Sequence, residues 1–486
     1  MKAFRAVLLL AVCWLLIVAT AAADPPGPGH RGSDPPATWA ATAAPDEAKL
    51  KHTRLFGHAD PGGGFNADVF LFGRTAYLAS WGTSAPEGFA PDAFCPSQGV
   101  RAYSIRDPRH PQRLATFADA ATEPDLAGTW TEKVIVRRVR TEQFQGVVAA
   151  VSVQNCVEDA FRGFALYDVT DPASPHRLAL YETPDAGGSH EIAFKQVGDH
   201  AYVYTAVILS ELTTAPDFDP EAFAADTPGE PDFRIIDASD PRDPVQVGAW
   251  GAWAELDVYP LAGQGTEPAN FVHSVIINRS GTKAFLSYWD LGTVILDIAE
   301  PGDPRFIGRT RFAGDEEGNA HSAWLGKNER LLIQTDEDFD PAPSPGVEQA
   351  WGYPRFYDIQ DPSNPVELST FKLPSTTAFP PPFPGFFSVH DPKVQSNLAY
   401  FSWYSEGVVI VDISDARQPR KVAQFVPPPS PDPRGLFDLE LGTPENPHPA
   451  FPFVWGVYVS GRTIVASDIN SGLWIFRLDR HRHHAH

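Results

Sequence analysis

Apolar and polar residues alternate in short runs along most of this chain, and Gly, Asn, Asp and Pro separate the runs. A period of two, rich in β-branched and aromatic residues, predicts β-strands whose alternate side chains face opposite sides of a sheet. One five-residue run recurs, and we call its copies the signature strands. The copies are VRAYS (100–104), FALYD (164–168), FRIID (233–237), TVILD (293–297), PRFYD (354–358), VVIVD (408–412) and LWIFR (473–477). A repeat at intervals of roughly 50–70 residues predicts a propeller or a similar array.

Each copy sits in the same local order of strands and turns. In the fourth copy the predicted strands are Val275–Ile277, Ala284–Tyr288, Val294–Ile298 and Arg305–Thr310. A Pro turn precedes the last strand, in which Asp or Glu caps its own backbone and Pro presets the next φ angle. The Pro turns with the full spacing are Asp107–Pro111, Asp171–Pro175, Asp240–Pro244, Glu300–Pro304 and Asp361–Pro365. Four antiparallel strands per copy predict one propeller blade.

The two ends of the repeat region complement each other. The last signature strand, Leu473–Leu478, has no fourth strand after it, whereas Leu50–Gly57 has the pattern of a fourth strand without a blade. We therefore predict that Leu50–Gly57 completes the seventh blade, which leaves no open sheet edge between the first and last blades. The predicted fold is all-β, a seven-bladed β-propeller of four-stranded blades over residues 47–480.

Two signature strands, VVIVD and TVILD, resemble the repeat of the LVIVD family. Members of that family are predicted β-propellers, often in secreted or surface-attached bacterial proteins. The resemblance therefore implies the propeller fold and a bacterial extracellular protein. It implies no particular activity, because one fold supports many functions.

The N-terminus has the composition of a secretory signal peptide. Lys2 and Arg5 precede an apolar run, and Ala21–Ala23 supplies a small-residue cleavage site before Asp24. Residues 1–23 are predicted to be this signal, 24–46 a flexible leader and 481–486 a His-rich tail. No other stretch is long and apolar enough to span a membrane. The expected location is secreted, extracellular or at the cell surface.

Removal of the signal leaves Cys95 and Cys156 as the cysteines of the chain. Secretion favours a disulfide between them. In the predicted register each lies between the second and third strands of its blade, in blades one and two. Loops of that kind in adjacent blades are neighbours on one face, so the register also favours the bridge.

Charge and loop length narrow the choice of partners. The 61 acidic and 38 basic residues give a formal net charge of −23, which argues against nucleic acid. The long irregular segments fall on one face of the predicted propeller, which we call the elaborated face. They are 82–99, 118–130, 206–232, 250–270, 335–353, 372–388 and 426–453. Function is expected there, and the partner is either a small-molecule substrate or an extracellular protein or glycan.

One repeat position carries the candidate chemistry. His190, His273, His321 and His390 begin the innermost strands of blades three to six, and Glu132 has that position in blade two. Innermost strands converge on the central channel, so these residues should meet at its rim. Neutral imidazoles bind Fe, Cu and Zn well, and we predict a transition-metal site with Glu132 as a further ligand or an orienting group. The carboxylates predicted to orient the imidazoles are Glu191, Asp290 and Asp336.

A structural role for the histidines is the alternative. A repeated His can repeat one hydrogen bond within its own blade, with Asp290, Asp336, Asp468 or Ser287 as its partner. Blades one and seven lack the His, so a blade can be built without it, which favours the metal. The acidic run 336–340 (DEDFD) also offers carboxylates for a structural Ca²⁺, although it lacks the glycine and spacing of an EF-hand.

Two function classes follow. The first is a metal-dependent oxidoreductase acting on a small molecule, with catalytic residues not assigned. In its axial histidines the chain resembles carotenoid-cleavage oxygenases, which hold iron, and methanethiol oxidases of the selenium-binding type, which hold copper. The second class is a non-catalytic extracellular binding protein with structural histidines. The chain has no G-x-S-x-G, Walker or H-E-x-x-H motif, so hydrolase and nucleotide chemistry lack support.

Overall fold

The computed structural model describes residues 48–479 except 87, 184–187, 214–226, 266–267, 340, 342–344 and 438–449. The predicted signal peptide, leader and tail, at 1–23, 24–46 and 481–486, lie outside the described residues. Within the described ranges the strands form seven antiparallel sheets, which are the blades of a propeller. No helix in these ranges is long and apolar enough to cross a bilayer.

The strands follow one another blade by blade along the chain. The first two are β1 (Lys49–Lys51) and β2 (Thr53–Ala59). Blade one contains β3 (Asn66–Phe72), β4 (Thr75–Ser80), β5 (Val100–Ser104) and β6 (Gln112–Phe117). Blade two contains β7 (Thr129–Trp130), β8 (Val134–Arg140), β9 (Gln145–Asn155), β10 (Gly163–Asp168) and β11 (His176–Glu182). Blade three contains β12 (Ile192–Val197), β13 (His200–Ala206), β14 (Phe233–Asp237) and β15 (Val245–Trp250).

The remaining blades repeat this order. Blade four contains β16 (Ser274–Ile277), β17 (Lys283–Ser287), β18 (Thr293–Asp297) and β19 (Arg305–Arg309). Blade five contains β20 (Ala320–Gly326), β21 (Leu331–Asp336), β22 (Pro354–Asp358) and β23 (Val366–Thr370). Blade six contains β24 (Pro392–Gln395), β25 (Leu398–Trp403), β26 (Gly407–Asp412) and β27 (Arg420–Val426). Blade seven contains β28 (Val454–Ser460), β29 (Thr463–Asp468) and β30 (Gly472–Leu478), together with β2. Short helices are α1 (Ser210–Thr213), α2 (Ala252–Leu256) and the 3-10 turns Pro124–Leu126 and Pro374–Thr377.

Every signature strand is the third strand of its blade, and the seven-bladed prediction is confirmed. In every blade the pairing of the third and fourth strands contains a one-residue register shift. Such a bulge increases the local twist of the outer strand. The repeat therefore encodes a bulge as well as a strand.

The N-terminal strand closes the ring, as predicted, but with shifted bounds. β2 pairs with β30, from Thr53 opposite Leu478 to Ala59 opposite Leu473. The preceding β1, which contains Leu50, pairs instead with β27 of blade six. His52 has a φ angle of 54°, and this left-handed residue lets the chain step from one blade to the next.

Blade seven packs against blade one through buried aliphatic side chains. Val69 and Leu78 of blade one share a cluster with Val465 and Ile475 of blade seven. Burial of such side chains stabilises the fold by about 25 cal/mol for each Å² of apolar surface. The closing strand β2 therefore belongs to a blade that also packs against blade one.

The predicted disulfide is present. Cys95 and Cys156 are bonded, with their Cα atoms 5.9 Å apart. Cys95 lies between β4 and β5, and Cys156 directly follows β9. The bridge therefore ties the long loop of blade one to blade two on the elaborated face.

Closure leads to a prediction about Gly57 in β2. A Cβ added at Gly57 would lie 2.0 Å from the carbonyl oxygen of Pro108 in the Pro turn of blade one. Gly57→Ala should therefore destabilise the protein by about 1–3 kcal/mol, since the backbone must move to admit the methyl group. The change is measured as a lowered midpoint of thermal unfolding.

Gly314→Ala is the matched control, because a Cβ at Gly314 meets nothing within 4 Å. That variant should unfold within about 0.5 kcal/mol of the wild type. Equal stability of the two variants would contradict the close packing of β2 on blade one.

Candidate metal centre

Four imidazoles lie in a row at one end of the central channel. The ring centroids are 4.3 Å apart for His190 and His273, 3.9 Å for His273 and His321, and 4.4 Å for His321 and His390. Three of these residues donate the same backbone hydrogen bond to the second strand of their blade, from N of His190, His273 and His390. The shared register explains why residues far apart in sequence converge. The structure thus brings together the four predicted histidines.

Hydrogen bonds at Nδ1 fix the orientation of two of the rings. Nδ1 of His190 is 2.6 Å from Oε1 of Gln154, and Nδ1 of His390 is 2.6 Å from the carbonyl oxygen of Trp455. A carbonyl oxygen only accepts, so each Nδ1 carries a hydrogen and each neutral ring has a bare Nε2. Nε2 of His190 lies 2.9 Å from Nε2 of His273. The free lone pair of His190 therefore faces the imidazole of His273, and a carbonyl oxygen at Nδ1 is a partner that metal-ligating histidines commonly have.

Glu337 completes the group, although the sequence pattern placed it only in the acidic run 336–340 and not with the histidines. Its Oε2 lies 3.2 Å from Nε2 of His321, and Tyr404 donates a hydrogen bond to its Oε1. Ligand atoms of His273, His321 and Glu337 all lie within 4.8 Å of one another, and this buried group could bind a metal ion. Glu337 directly follows the second strand of blade five. The end of a second strand lies beside the start of the first strand, because the two are antiparallel. Glu337 could therefore have been predicted from the strand register to lie near the histidines.

Glu132 lies beside the row, linked to it through Trp455. Nε1 of Trp455 donates to Oε1 of Glu132 at 2.6 Å, and the Trp455 ring is 4.5 Å from that of His390. Oε2 of Glu132 is buried without a hydrogen-bond partner among the described residues. The structure thus places Glu132 one side chain away from His390, and a direct ligand role stays a prediction.

The three carboxylates predicted to orient imidazoles have other partners. Glu191 faces Lys133, with Oε1 2.7 Å from Nζ. Asp290 accepts hydrogen bonds from the backbone N of Gln264, Ala269 and Asn319, and so ties three loop segments together. Asp336 accepts from Nε of Arg355 at 2.6 Å. In the described part of the chain the Nδ1 partners are instead Gln154, the Trp455 carbonyl and, for His321, the Ser322 hydroxyl.

The acidic run 336–340 does not gather its first two carboxylates around one point. Asp336 turns to Arg355, whereas Glu337 turns to His321. Successive residues of an extended chain point to opposite sides, which explains the divergence. Asp340 lies outside the described residues, and a structural Ca²⁺ in this run stays a prediction.

Burial keeps the imidazoles neutral. It lowers the pKa of His190, with a smaller contribution from the Lys133 ammonium, and that of His390, each to about 3. Burial also lowers the pKa values of His273 and His321 well below the usual range. Neutral imidazoles are the form that binds metal ions. The row is therefore competent to bind a metal at neutral pH.

Burial has the opposite effect on the carboxyl groups of the site. It raises the pKa of Glu337 to about 8, against the hydrogen bond from Tyr404, and it raises that of Glu132 well above its usual value. Low dielectric disfavours an isolated negative charge, so both groups hold a proton more firmly than they would in water. A cation bound beside Glu337 would favour its ionised form.

A layer of buried ion pairs lies one residue deeper in the channel, and we call it the charged plug. Its members are Asp68, Lys133, Glu191, Asp391 and Lys393. Nζ of Lys133 lies 3.2 Å from Asp68, 2.7 Å from Glu191 and 3.3 Å from Asp391. Burial would lower the pKa of Lys133, but these carboxylates raise it well above the usual value. Lys133 therefore keeps its charge beneath the imidazoles, whereas burial raises the pKa of Glu191 to about 7.

Aromatic side chains surround the row on its other sides. Ring centroids lie 5.9 Å apart for Trp130 and His190, 5.5 Å for Trp289 and His273, and 5.3 Å for Tyr404 and His390. Phe386, from the long segment 372–388, stacks on Phe453 at 5.1 Å. An apolar shell of this kind restricts water and strengthens electrostatic interactions at a site.

The fold and the site define a β-propeller with a buried His and Glu group on its axis. The LVIVD repeat family model matches residues 388–424, so the chain carries an LVIVD repeat in blade six, and this segment includes His390. No curated protein matches the chain. The crystal structure of the computationally designed Ika8 protein is similar at a TM-score of 0.45 and 7% identity, over 87% of this chain and 99% of that one. These values carry no argument about function.

The depressed imidazole pKa values predict an acid-sensitive fold. For His190 and His390 the folded pKa of about 3 lies below the unfolded value of 6.5. Their contribution to stability is therefore present above pH 6.5 and is lost as the pH falls toward 3, because the unfolded chain binds protons that the folded chain does not. Glu337 has the opposite dependence, since its folded pKa of about 8 lies above its unfolded value and its contribution falls as the pH rises.

Comparison of variants isolates the histidine contribution. In chelator-treated protein, His390→Gln should flatten the pH dependence of the unfolding free energy between about pH 4 and 6.5 by up to one proton. Urea unfolding followed by Trp fluorescence measures this slope. The exposed His176→Gln is the control and should keep the wild-type slope. A wild-type slope in His390→Gln would contradict the prediction.

Proposed function

We propose that the axial histidines hold one transition-metal ion, with Nε2 atoms of the row and the Glu337 carboxylate as its ligands. The observation that carries the proposal is the pair of carbonyl acceptors at Nδ1 of His190 and His390. They direct the bare Nε2 atoms of the two end rings toward the middle of the row. The ligand set is His190, His273, His321, His390 and Glu337.

The donor chemistry supports this assignment. Two Nε2 atoms, of His190 and His273, approach to 2.9 Å, and two bare lone pairs at that distance repel each other unless a proton or a cation lies between them. Nδ1 of His273 is buried with no hydrogen-bond partner among the described residues. Imidazole nitrogens with one carboxylate suit Fe, Cu or Zn, whereas Ca²⁺ takes oxygen ligands.

We infer that the protein is a secreted metal-dependent oxidoreductase acting on a small molecule. The metal would supply redox or Lewis-acid chemistry when bound. Tyr404 would hold Glu337 in place through its hydrogen bond, and Trp455 would hold Glu132 in the same way. Glu132, whose pKa burial raises well above its usual value, would be the proton donor near the row. The aromatic shell would exclude water and favour an apolar substrate.

One observation favours a second candidate function. The contact between His190 and His273 is a complete hydrogen bond when one of the two nitrogens carries the hydrogen. The row could then be a structural network, and the elaborated face would recognise an extracellular protein or glycan without catalysis. The two functions differ in whether the purified protein carries a metal.

Metal content separates the two functions. The mature protein, with Ala at His481, His483, His484 and His486 to remove adventitious binding by the tail, should carry about one transition-metal ion per chain. His273→Ala combined with His321→Ala should abolish this content, since two ligands are lost. Elemental analysis by mass spectrometry measures the metal after purification without an affinity tag.

A matched control is His176→Ala with His200→Ala, two histidines outside the row, which should keep the metal. Protein that remains metal-free after incubation with Fe²⁺, Cu²⁺ or Zn²⁺ and shows no thermal shift would falsify the metal centre. A double variant of His273 and His321 that binds no less metal would also contradict it.

The carboxylate can be tested separately from the imidazoles. Glu337→Gln preserves the shape of the side chain but removes the negative charge, and it should weaken Zn²⁺ binding by roughly 10–100-fold. Tyr404→Phe removes only the hydrogen bond to Glu337 and should weaken binding less. Calorimetric titration of the metal-free proteins measures both affinities, and equal affinities for Glu337→Gln and wild type would exclude Glu337 as a ligand.

A further inference from the structure

The central channel opens again on the far side of the charged plug. There it forms a cavity of about 330 Å³, lined by the innermost strands. Asp68, Lys133, Glu191 and Asp391 of the charged plug form the end of this cavity nearest the imidazoles. None of the four histidines lines it. The cavity is therefore a separate space on the side away from the elaborated face.

Cationic side chains outnumber carboxylates in the lining. The cations are Lys133, Arg137, Arg138, Lys195 and Lys393, and the carboxylates are Asp68, Glu191 and Asp391. All three carboxylates belong to the charged plug, where they face the ammonium groups of Lys133 and Lys393. With Arg137, Arg138 and Lys195 the lining has more cations than carboxylates, in a protein whose net charge is −23.

Two of these cations crowd together without an ion pair. Nε of Arg137 donates to the carbonyl oxygen of Phe194 at 3.3 Å, and no carboxylate in the described chain forms an ion pair with Arg137 or Lys195. Burial lowers the pKa of Lys195, and the neighbouring Arg137 guanidinium lowers it further, against the Glu329 carboxylate, which raises it. Arg137 is exposed and Lys195 is half-buried. Their like charges repel each other, and a bound anion would relieve the repulsion.

The same cavity has apolar and aromatic walls. Phe70 and Tyr458 pack with ring centroids 4.4 Å apart, and the Arg137 guanidinium lies 5.3 Å from the Phe70 ring. Nζ of Lys393 lies 4.7 Å from the Trp324 ring. Small-molecule sites combine such walls with a few polar groups that fix orientation. The lining therefore suits an anion with an apolar body.

We propose that this cavity is a second ligand site, which binds a small organic anion with a carboxylate, sulfonate or phosphate head. Arg137 and Lys195 bind the acidic head, and Phe70 and Trp324 contact the apolar body. Guanidinium and ammonium groups are the usual partners of such heads. The site does not depend on the metal centre, because the charged plug separates the two.

A pair of fluorescent probes tests the charge requirement. One is 8-anilinonaphthalene-1-sulfonate, and the other is N-phenyl-1-naphthylamine, which has the same rings without the sulfonate. The folded, full mature protein should bind the sulfonate saturably at one site and should bind the neutral amine at least tenfold more weakly. Added NaCl should weaken the sulfonate complex, because the interaction is between charges.

Variants locate the site. Arg137→Gln with Lys195→Gln should raise the Kd of the sulfonate at least tenfold, and Trp324→Ala should also weaken binding. Arg242→Gln with Arg305→Gln removes two exposed arginines, one in a Pro turn and one directly after a Pro turn, and should leave the Kd unchanged. If the first double variant is less stable, Lys195→Gln alone still tests the site, because it leaves the packing of Arg137 on Phe70 in place.

Three outcomes would overturn the proposal. They are equal binding of the two probes, an unchanged Kd in the Arg137 and Lys195 variant, and an equal loss in the Arg242 and Arg305 control. The His273 and His321 double variant should bind the sulfonate as the wild type does. Its failure to bind metal would leave this site intact, so the two proposals can fail independently.

Discussion

Closure of the ring is the constraint on which the other features depend. Seven innermost strands start at one axis, so a residue at the start of a strand is forced into a crowded, water-poor place. The residue that follows it enters the next layer down the channel. The imidazole row and the charged plug are successive layers of this kind, since Lys133, Glu191 and Asp391 directly follow Glu132, His190 and His390. Pairing of β2 with β30 keeps both layers closed.

The two layers meet the cost of desolvation in different ways. In the charged plug each carboxylate has an ammonium nitrogen within 3.3 Å, and this attraction opposes the effect of burial, which nevertheless raises the pKa of Glu191 to about 7. In the row above it, burial turns the imidazoles neutral and leaves Glu132 and Glu337 protonated more readily than in water. A charged layer of paired side chains closes the channel, while a neutral layer of lone pairs stays available to a cation.

The repeat made the fold and the row predictable. Signature strands gave the number of blades, the disulfide loops and the register that brought His190, His273, His321 and His390 together. Residues that lie outside this repeat register, and the hydrogen bonds that they form, were not predictable. Asp290 accepts hydrogen bonds from the backbone of Gln264, Ala269 and Asn319, which lie in loops without a repeating sequence pattern. Glu337 directly follows the second strand of blade five. The histidines were found by aligning the first strands of the blades, and that alignment does not include Glu337. The step of β1 into blade six depends on one left-handed residue, His52.

Unpaired polar atoms in the imidazole row add to the argument for a function there. A buried donor or acceptor without a partner costs about 1–3 kcal/mol, and a structural network would remove such costs. Nδ1 of His273 and Oε2 of Glu132 nevertheless lack partners among the described residues. A purely structural row would need only the hydrogen bond within each blade. Instead the rings bond across blades, from His190 to Gln154 and from His390 to the Trp455 carbonyl, which aims them at a common centre. In a ligand site the side chains are oriented toward the ligand even where this leaves a buried polar atom without a hydrogen bond in the protein.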